Sequence, residues 1–229
     1  MKTKIIIEDH VVPQLLTSAM EAYEFKHRAS EKGIAKDRLE TYGLLWGYAL
    51  PARDGIPVRL VAAMATVETS ALRHEEWVLP DYASLTAKRD FFREYWPQLE
   101  LIGTFHSHPY DSLKEVNENT GWRASPIAKN GSGDLAHWPH VHGEVCPDMP
   151  YLAHLIIAIT ALSRRGTQWP TRLPGSERDA GYMLTAEKRK FWIRGYCTNM
   201  IDDSTSDFSY EVQEDVELDI PSLTQRFCT

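Results

Sequence analysis

The sequence predicts one α/β domain, a mixed β-sheet flanked by helices. Three observations carry this expectation. Short apolar runs rich in branched residues alternate with two stretches of helical periodicity, the pattern of a sheet covered by helices. The 229 residues are 43% hydrophobic and 25% charged, ordinary for a soluble chain with a real core. No internal repeat and no linker divides the chain.

The elements follow in order. Lys4 to Ile7 reads as a short strand. Val12, Leu15, Leu16, Ala19, Met20 and Tyr23 fall at helical spacing, which predicts an amphipathic helix over 11–26. Ala29 to Asp37 is polar, contains Gly33 and reads as a loop. Glu40 to Leu50 is apolar apart from its first residues and reads as a buried strand, with Gly43 and Gly47 allowing close backbone approach. After a turn at Pro51 to Gly55, residues 57–67 and 75–79 continue as strands of an antiparallel meander. Leu85, Phe91, Phe92, Tyr95 and Trp96 predict a second helix over 83–97, ended by Pro97. Leu101 to Phe105 is a strand, and the polar stretch from Tyr110 to Gly133 reads as a long loop, a feature that is often functional in a compact domain. Tyr151 to Leu162 is a continuous apolar run and predicts a central strand. Thr167 to Ala180 reads as a Pro- and charge-rich loop. Lys188 to Cys197, the alternating Phe208, Tyr210 and Val212, and then Val216, Leu218 and Ile220 are the last strands.

The net charge is -7, from 25 basic and 32 acidic residues, which argues against a nucleic-acid binder. The cysteines Cys146, Cys197 and Cys228 are odd in number and form no C-x-x-C pair, as expected of ordinary thiols in a reducing compartment. The apolar stretch near the N-terminus is too short for a signal peptide, and no run approaches a membrane span. The expectation is a cytoplasmic protein that needs no membrane.

The string that points to chemistry is His106-Ser107-His108-Pro109, at the end of the run Leu101 to Phe105. Side chains two apart share a strand face, so His-x-His on a strand presents two imidazoles together. A catalytic zinc site has three protein ligands and an open position. Asp134, in Asn130-Gly131-Ser132-Gly133-Asp134, is the candidate third ligand, with glycines that let the backbone fold tightly and a position that also suits a helix cap. Asp111 competes for the same role but must reach back round Pro109. Glu40, at the mouth of a buried strand, is the candidate base. His137, His140 and His142 follow Asp134 and could form a second metal site or support the first. His142-Gly143-Glu144 is similar to the His-x-Glu of zinc nucleoside deaminases, but the required Pro-Cys-x-x-Cys does not follow it.

Glu40 with Gly43-Leu44, then His106-Ser107-His108-Pro109, then Asp134 resemble the JAMM/MPN (JAB) metalloprotease family, over roughly residues 5–200. The resemblance implies an MPN/JAB-like, cytidine-deaminase-like mixed sheet in a single domain over 1–229, with C-terminal strands. It implies Zn2+ held by His106, His108 and Asp134, with water activated by Glu40. Two departures stand out. The chain places 25 residues between His108 and Asp134, more than the family does, and has Asn119 where the family's aspartate would fall, so 110–131 reads as an insertion over the site. The family's serine would fall on Gly131; Ser132 is one position late, and Ser132 or Ser125 is left to help hold the oxyanion.

The activity implied is that of a zinc-dependent, deubiquitinase-like isopeptidase or peptidase. It would hydrolyse the amide after the Gly-Gly tail of ubiquitin or a ubiquitin-like protein, with E1/E2-like enzymes of the same pathway as further partners. Loops 110–131 and 164–180 are the expected modifier-binding surface. Trimming of a sulfur-carrier protein, a non-catalytic MPN scaffold and an unrelated zinc hydrolase are the alternatives.

Overall fold

The run Lys4–Ile7 forms β1, and the helical stripe after it forms α1 (Val11–Glu24), in the computed structural model, which describes residues 2–27, 34–202 and 208–225. β2 (Tyr42–Leu50) and β3 (Arg59–Val67) are the expected antiparallel pair. The meander ends there. β4 (Leu72–Arg73) and β5 (Val78–Leu79) make a separate two-stranded sheet beside the main one. α2 (Tyr82–Tyr95) starts at Asp81, whose carboxylate accepts the Ala83 and Ser84 amides at 3.0 and 3.3 Å, and stops just short of Pro97. β6 (Glu100–Tyr110) carries both histidines and runs five residues beyond Phe105.

The polar stretch 110–133 contains a helix, α3 (Leu113–Asn119), where the reading expected only loop. Ser112 caps it by accepting the Glu115 amide at 3.2 Å, and the Glu115 carboxylate accepts the Asp111 amide at 3.0 Å. Val116 and Trp122 anchor the segment against Ala158 and Trp192. α4 (Asp134–Val145) follows. β7 (Tyr151–Arg172) and β8 (Gly181–Asp202) are each 22 residues long, so most of 164–180 is strand, with a 3-10 turn at Gly175–Ala180. The register slips between Ala161 and Gly166, and the turn chemistry of this bulged stretch imitates a loop in the sequence. β9 (Phe208–Gln213), β10 (Glu217–Asp219) and α5 (Pro221–Gln225) complete the chain.

The main sheet has eight strands in the order β10-β1-β3-β2-β6-β7-β8-β9. It is mixed: β6 runs parallel to β7 and antiparallel to β2. One face packs on α1 through Ile5, Leu15, Phe105, Leu155, Ile157 and Ile193. On the other, Tyr42, Leu44, Trp46 and Leu152 meet Leu85 of α2 and Val141 and Val145 of α4. A bulge fits β6 to both faces. Leu45 pairs with Gly103 and Trp46 with Leu101, leaving Ile102 over. Leu101 then joins the α2/α4 side and Ile102 the α1 side.

Beneath α4 lies a buried polar chain. His142 Nε2 sits 2.8 Å from the Met149 carbonyl and its Nδ1 2.7 Å from Thr198 Oγ1; His154 Nε2 sits 3.0 Å from Thr198 Oγ1 and its Nδ1 2.8 Å from Thr104 Oγ1. One proton arrangement satisfies every link: both rings neutral and protonated on Nε2, with each threonine hydroxyl donating to an Nδ1. Cys146 and Cys197 are buried and unpaired; Cys228 and Gly33 lie outside the described residues. Among the described residues no helix is long and apolar enough to cross a membrane.

Burial lowers His142 from 6.5 to about 4, against the pull of the Met149 carbonyl. The unfolded chain therefore takes up a proton as pH falls through 6.5, while the folded ring resists until about 4. Stability is lost in that window as pH falls. Urea unfolding from pH 6.5 to 4 is expected to cost the wild type about 3 kcal/mol more than His142→Gln; parallel profiles would refute the buried neutral ring.

Candidate metal centre

The site is built on one antiparallel ladder. Tyr42 faces His106 across β2 and β6, and Gly43 faces Phe105. Glu40 lies two residues before β2, where the charge of His108 acts on its carboxyl. Two bonds tie the preceding residue, Thr41, to β6: the Ser107 amide donates to the Thr41 carbonyl at 3.0 Å, and the Thr41 amide donates to Ser107 Oγ at 2.9 Å. The serine between the histidines thus ties down the segment that carries Glu40. The Glu40 amide in turn donates to the His74 carbonyl beside β4, at 2.8 Å. Glu40, His106 and His108 are all buried.

His106 and His108 share the sheet face covered by α4, and the helix delivers Asp134 to them. Asp134 is the first residue of α4, so its carboxylate projects from the helix N-terminus toward the strand. Ser125 holds it there. The Ser125 amide donates to Asp134 Oδ2 and the Asp134 amide donates to Ser125 Oγ, each at 2.8 Å. Gly133 makes the approach possible: its φ is 109°, and a Cβ there would come within 2.2 Å of the Pro126 carbonyl oxygen.

The three groups converge. His106 Nε2 and His108 Nε2 are 2.9 Å apart, and Asp134 reaches them at 3.1 and 3.4 Å. A tetrahedral zinc with bonds of about 2.1 Å has ligand–ligand edges of about 3.4 Å. The donor set and its spacing therefore suit a metal ion. His108 Nδ1 lies 3.2 Å from the Gly121 carbonyl, which holds the proton on that nitrogen and turns the Nε2 lone pair toward Asp134. Trp138, stacked on His154 at 4.8 Å, closes the site from the helix side, 6.0 Å from the His106 ring.

The charges are strongly perturbed. Burial works to raise Asp134, but the His106 and His108 rings outweigh it and hold the carboxyl well below the usual range. Burial works to lower His108, but hydrogen bonding and attraction to Asp134 raise it to about 9. A buried carboxylate thus holds a proton on His108, beside the place a cation would take. Burial pushes Glu40 up to about 8, with His108 pulling the other way.

A cleft of about 1020 Å3 opens onto the centre. Glu75 to Leu79, around β5, form one wall, and residues between Ser125 and Asp134 form the other. The segment 110–131 borders it through Tyr110, Glu115 and Ser125, as expected of a rim; none of its lining residues falls in 164–180.

The other candidates are dispersed. Ser132 lines the cleft, but its hydroxyl donates to Asn130 Oδ1 at 2.7 Å; Ser125 is the serine that touches Asp134. Asp111 is exposed and pairs with Arg38, and Asn119 is exposed at the end of α3. His142 is locked in its buried chain, His140 packs edge-on to Tyr82, and His137 Nδ1 lies 3.3 Å from the Tyr82 hydroxyl. Among the described residues, His106, His108 and Asp134 are the one group placed to share an ion. The reading missed Ser107 and Gly121, whose contacts are a backbone amide and a carbonyl that no side-chain pattern announces.

No family model matches the chain, and no curated protein matches it.

Ser125→Ala removes the hydroxyl that fixes Asp134 and is expected to weaken metal binding about 10- to 100-fold, as loss of such supporting contacts does. Ser132→Ala is expected to leave it unchanged. Competition with a chromogenic chelator reads both; equal affinities in the two variants would remove Ser125 from this role.

Proposed function

We propose that the chain is a zinc-dependent isopeptidase or peptidase of the JAMM/MPN type, acting on the amide after the Gly-Gly tail of a ubiquitin-like protein. The observation that carries this is the convergence of His106, His108 and Asp134 in an open cleft that the buried Glu40 also lines. The order of these residues along the chain supports the family resemblance, and the mixed sheet between helices suits its fold.

A zinc ion held by His106, His108 and Asp134 would supply a Lewis acid for a carbonyl oxygen and a water whose pKa is lowered toward ~7. The chain supplies the rest. Glu40 takes the proton of the water that adds to the carbonyl carbon. It returns that proton to the nitrogen as the C–N bond breaks, leaving a carboxylate and an amine. Burial raises the Glu40 carboxyl to about 8 without the ion, so its affinity for a proton is closer to working pH than that of an exposed carboxyl. Ser125 keeps Asp134 in place, and Gly121 keeps the His108 lone pair aimed. The walls at Glu75 to Leu79 and at Ser125 to Asp134 suit an extended tail lying between them.

The test is incubation with a panel of Gly-Gly-tailed fusions, read by mass spectrometry with a chelator control. Wild type should release the tail at the glycine carboxylate, and Glu40→Gln should keep one zinc per chain while losing at least about 10²-fold in kcat. Full activity in Glu40→Gln would remove Glu40 as the base; cleavage insensitive to chelator would remove the metal.

A further inference from the structure

The segment 121–125 touches two of the candidate ligands, one from each end. The Gly121 carbonyl lies 3.2 Å from His108 Nδ1, and Ser125 exchanges two hydrogen bonds of 2.8 Å with Asp134. The segment lies between α3 and α4, in neither helix and in no strand. Backbone of that kind has no ladder to hold it, yet here it must place groups on both sides of one ion.

The three residues in between are held by side chains of β8 and of the 3-10 turn before it. The Trp122 indole N–H donates to Glu177 Oε2 at 2.8 Å, and Arg123 Nε donates to Glu177 Oε1 at 3.1 Å. The Ala124 amide donates to the Tyr196 hydroxyl at 2.7 Å. Arg194 joins the two holds. Its guanidinium lies 2.9 Å from Glu177 Oε1, donates to the Tyr196 hydroxyl and sits over the Tyr196 ring. That ring also packs at 4.8 Å on Trp138, which closes the centre from the helix side. Glu177, Arg194 and Tyr196 are all buried. Taking two charges out of water offsets most of what their attraction returns, so a buried ion pair adds little net stability. What this pair provides is a fixed geometry for the residues it grips.

We propose that Glu177, Arg194 and Tyr196 are positioning residues for the metal centre, acting by clamping 122–124 so that Gly121 and Ser125 stay aimed at His108 and Asp134. This rests on the reading of the centre as a zinc site and extends its support to β8. Outer partners raise metal affinity by fixing the orientation of the ligands before the ion arrives.

The experiment reads zinc affinity in the full-length protein, by competition of zinc ions against a chromogenic chelator. Tyr196→Phe keeps the ring on Trp138 and removes the hydroxyl that holds Ala124. Trp122→Phe keeps an aromatic ring and removes the N–H that reaches Glu177. Each is expected to weaken zinc binding about 10-fold, as loss of outer supports does. A clamp acting through Ser125 also implies coupling, so Tyr196→Phe combined with Ser125→Ala should lose less than the product of the two single losses. A merely structural role would lower the melting temperature of the metal-free protein and leave the two losses multiplying. Wild-type affinity in both Phe variants, or full multiplication with Ser125→Ala, overturns the assignment. Should the Phe variants not fold, Arg123→Ala, which cuts a half-exposed side chain, is read by the same two outcomes. A wild type that binds zinc but cleaves none of the fusions overturns the hydrolase reading and leaves this assignment standing; one that binds no zinc overturns both.

Discussion

The β2–β6 ladder is the constraint on which the centre depends. A single register, with Tyr42 opposite His106, sets both imidazoles on one face and brings the segment before β2, with Glu40, to the same cleft. Sheet register is an all-or-none property, because a slip of one residue turns every side chain to the opposite face. Ser107 points away from the site and secures that register by binding the Thr41 amide. The short motif is therefore structural as well as chemical: its outer residues face the cleft, and its middle one fixes the strand that brings the glutamate.

The second requirement is to keep charge buried without losing the fold. Isolated ionised groups in an apolar interior are strongly disfavoured. Here Asp134 and the two imidazoles compensate one another, and Ser125 and Gly121 use further bonding capacity. Behind them the polar groups are kept neutral: the His142–Thr198–His154–Thr104 chain ends on a backbone carbonyl and contains no ion. Charge is thus brought together at the cleft, while this chain under α4 is polar but uncharged.

Much of this was legible in the sequence because period-2 and period-3.6 patterns report directly on faces. β1, α1, β2, β3, α2 and β6 fall close to where their apolar stripes place them, and the strand-borne His-x-His was enough to expect two rings side by side. Asp134 could be picked out because glycines precede it. α3 escaped although Ser112 and Glu115 form a capping signal, since the helix is short and buries little beyond Val116. The length of β7 and β8 escaped because the far half of β7 is largely exposed and its pairing with β8 is bulged, so hydrophobic alternation fails there. The extra residue at Ile102 could not be read at all: it reconciles two packing layers, and such a compromise exists only once both are in place. Ser125 was one of two serines the sequence left open, and only the fold of the rim distinguishes them.

The candidate ligand atoms come from different layers of the molecule, two from the sheet and one from the first residue of α4. An ion bound among them is a rivet between layers. It adds to the free energy holding the helix down in proportion to the logarithm of ion concentration over its dissociation constant. Supply of the ion in the surroundings then sets how firmly the lid over the cleft is fastened, and scarcity would loosen the helix before it disturbed the sheet.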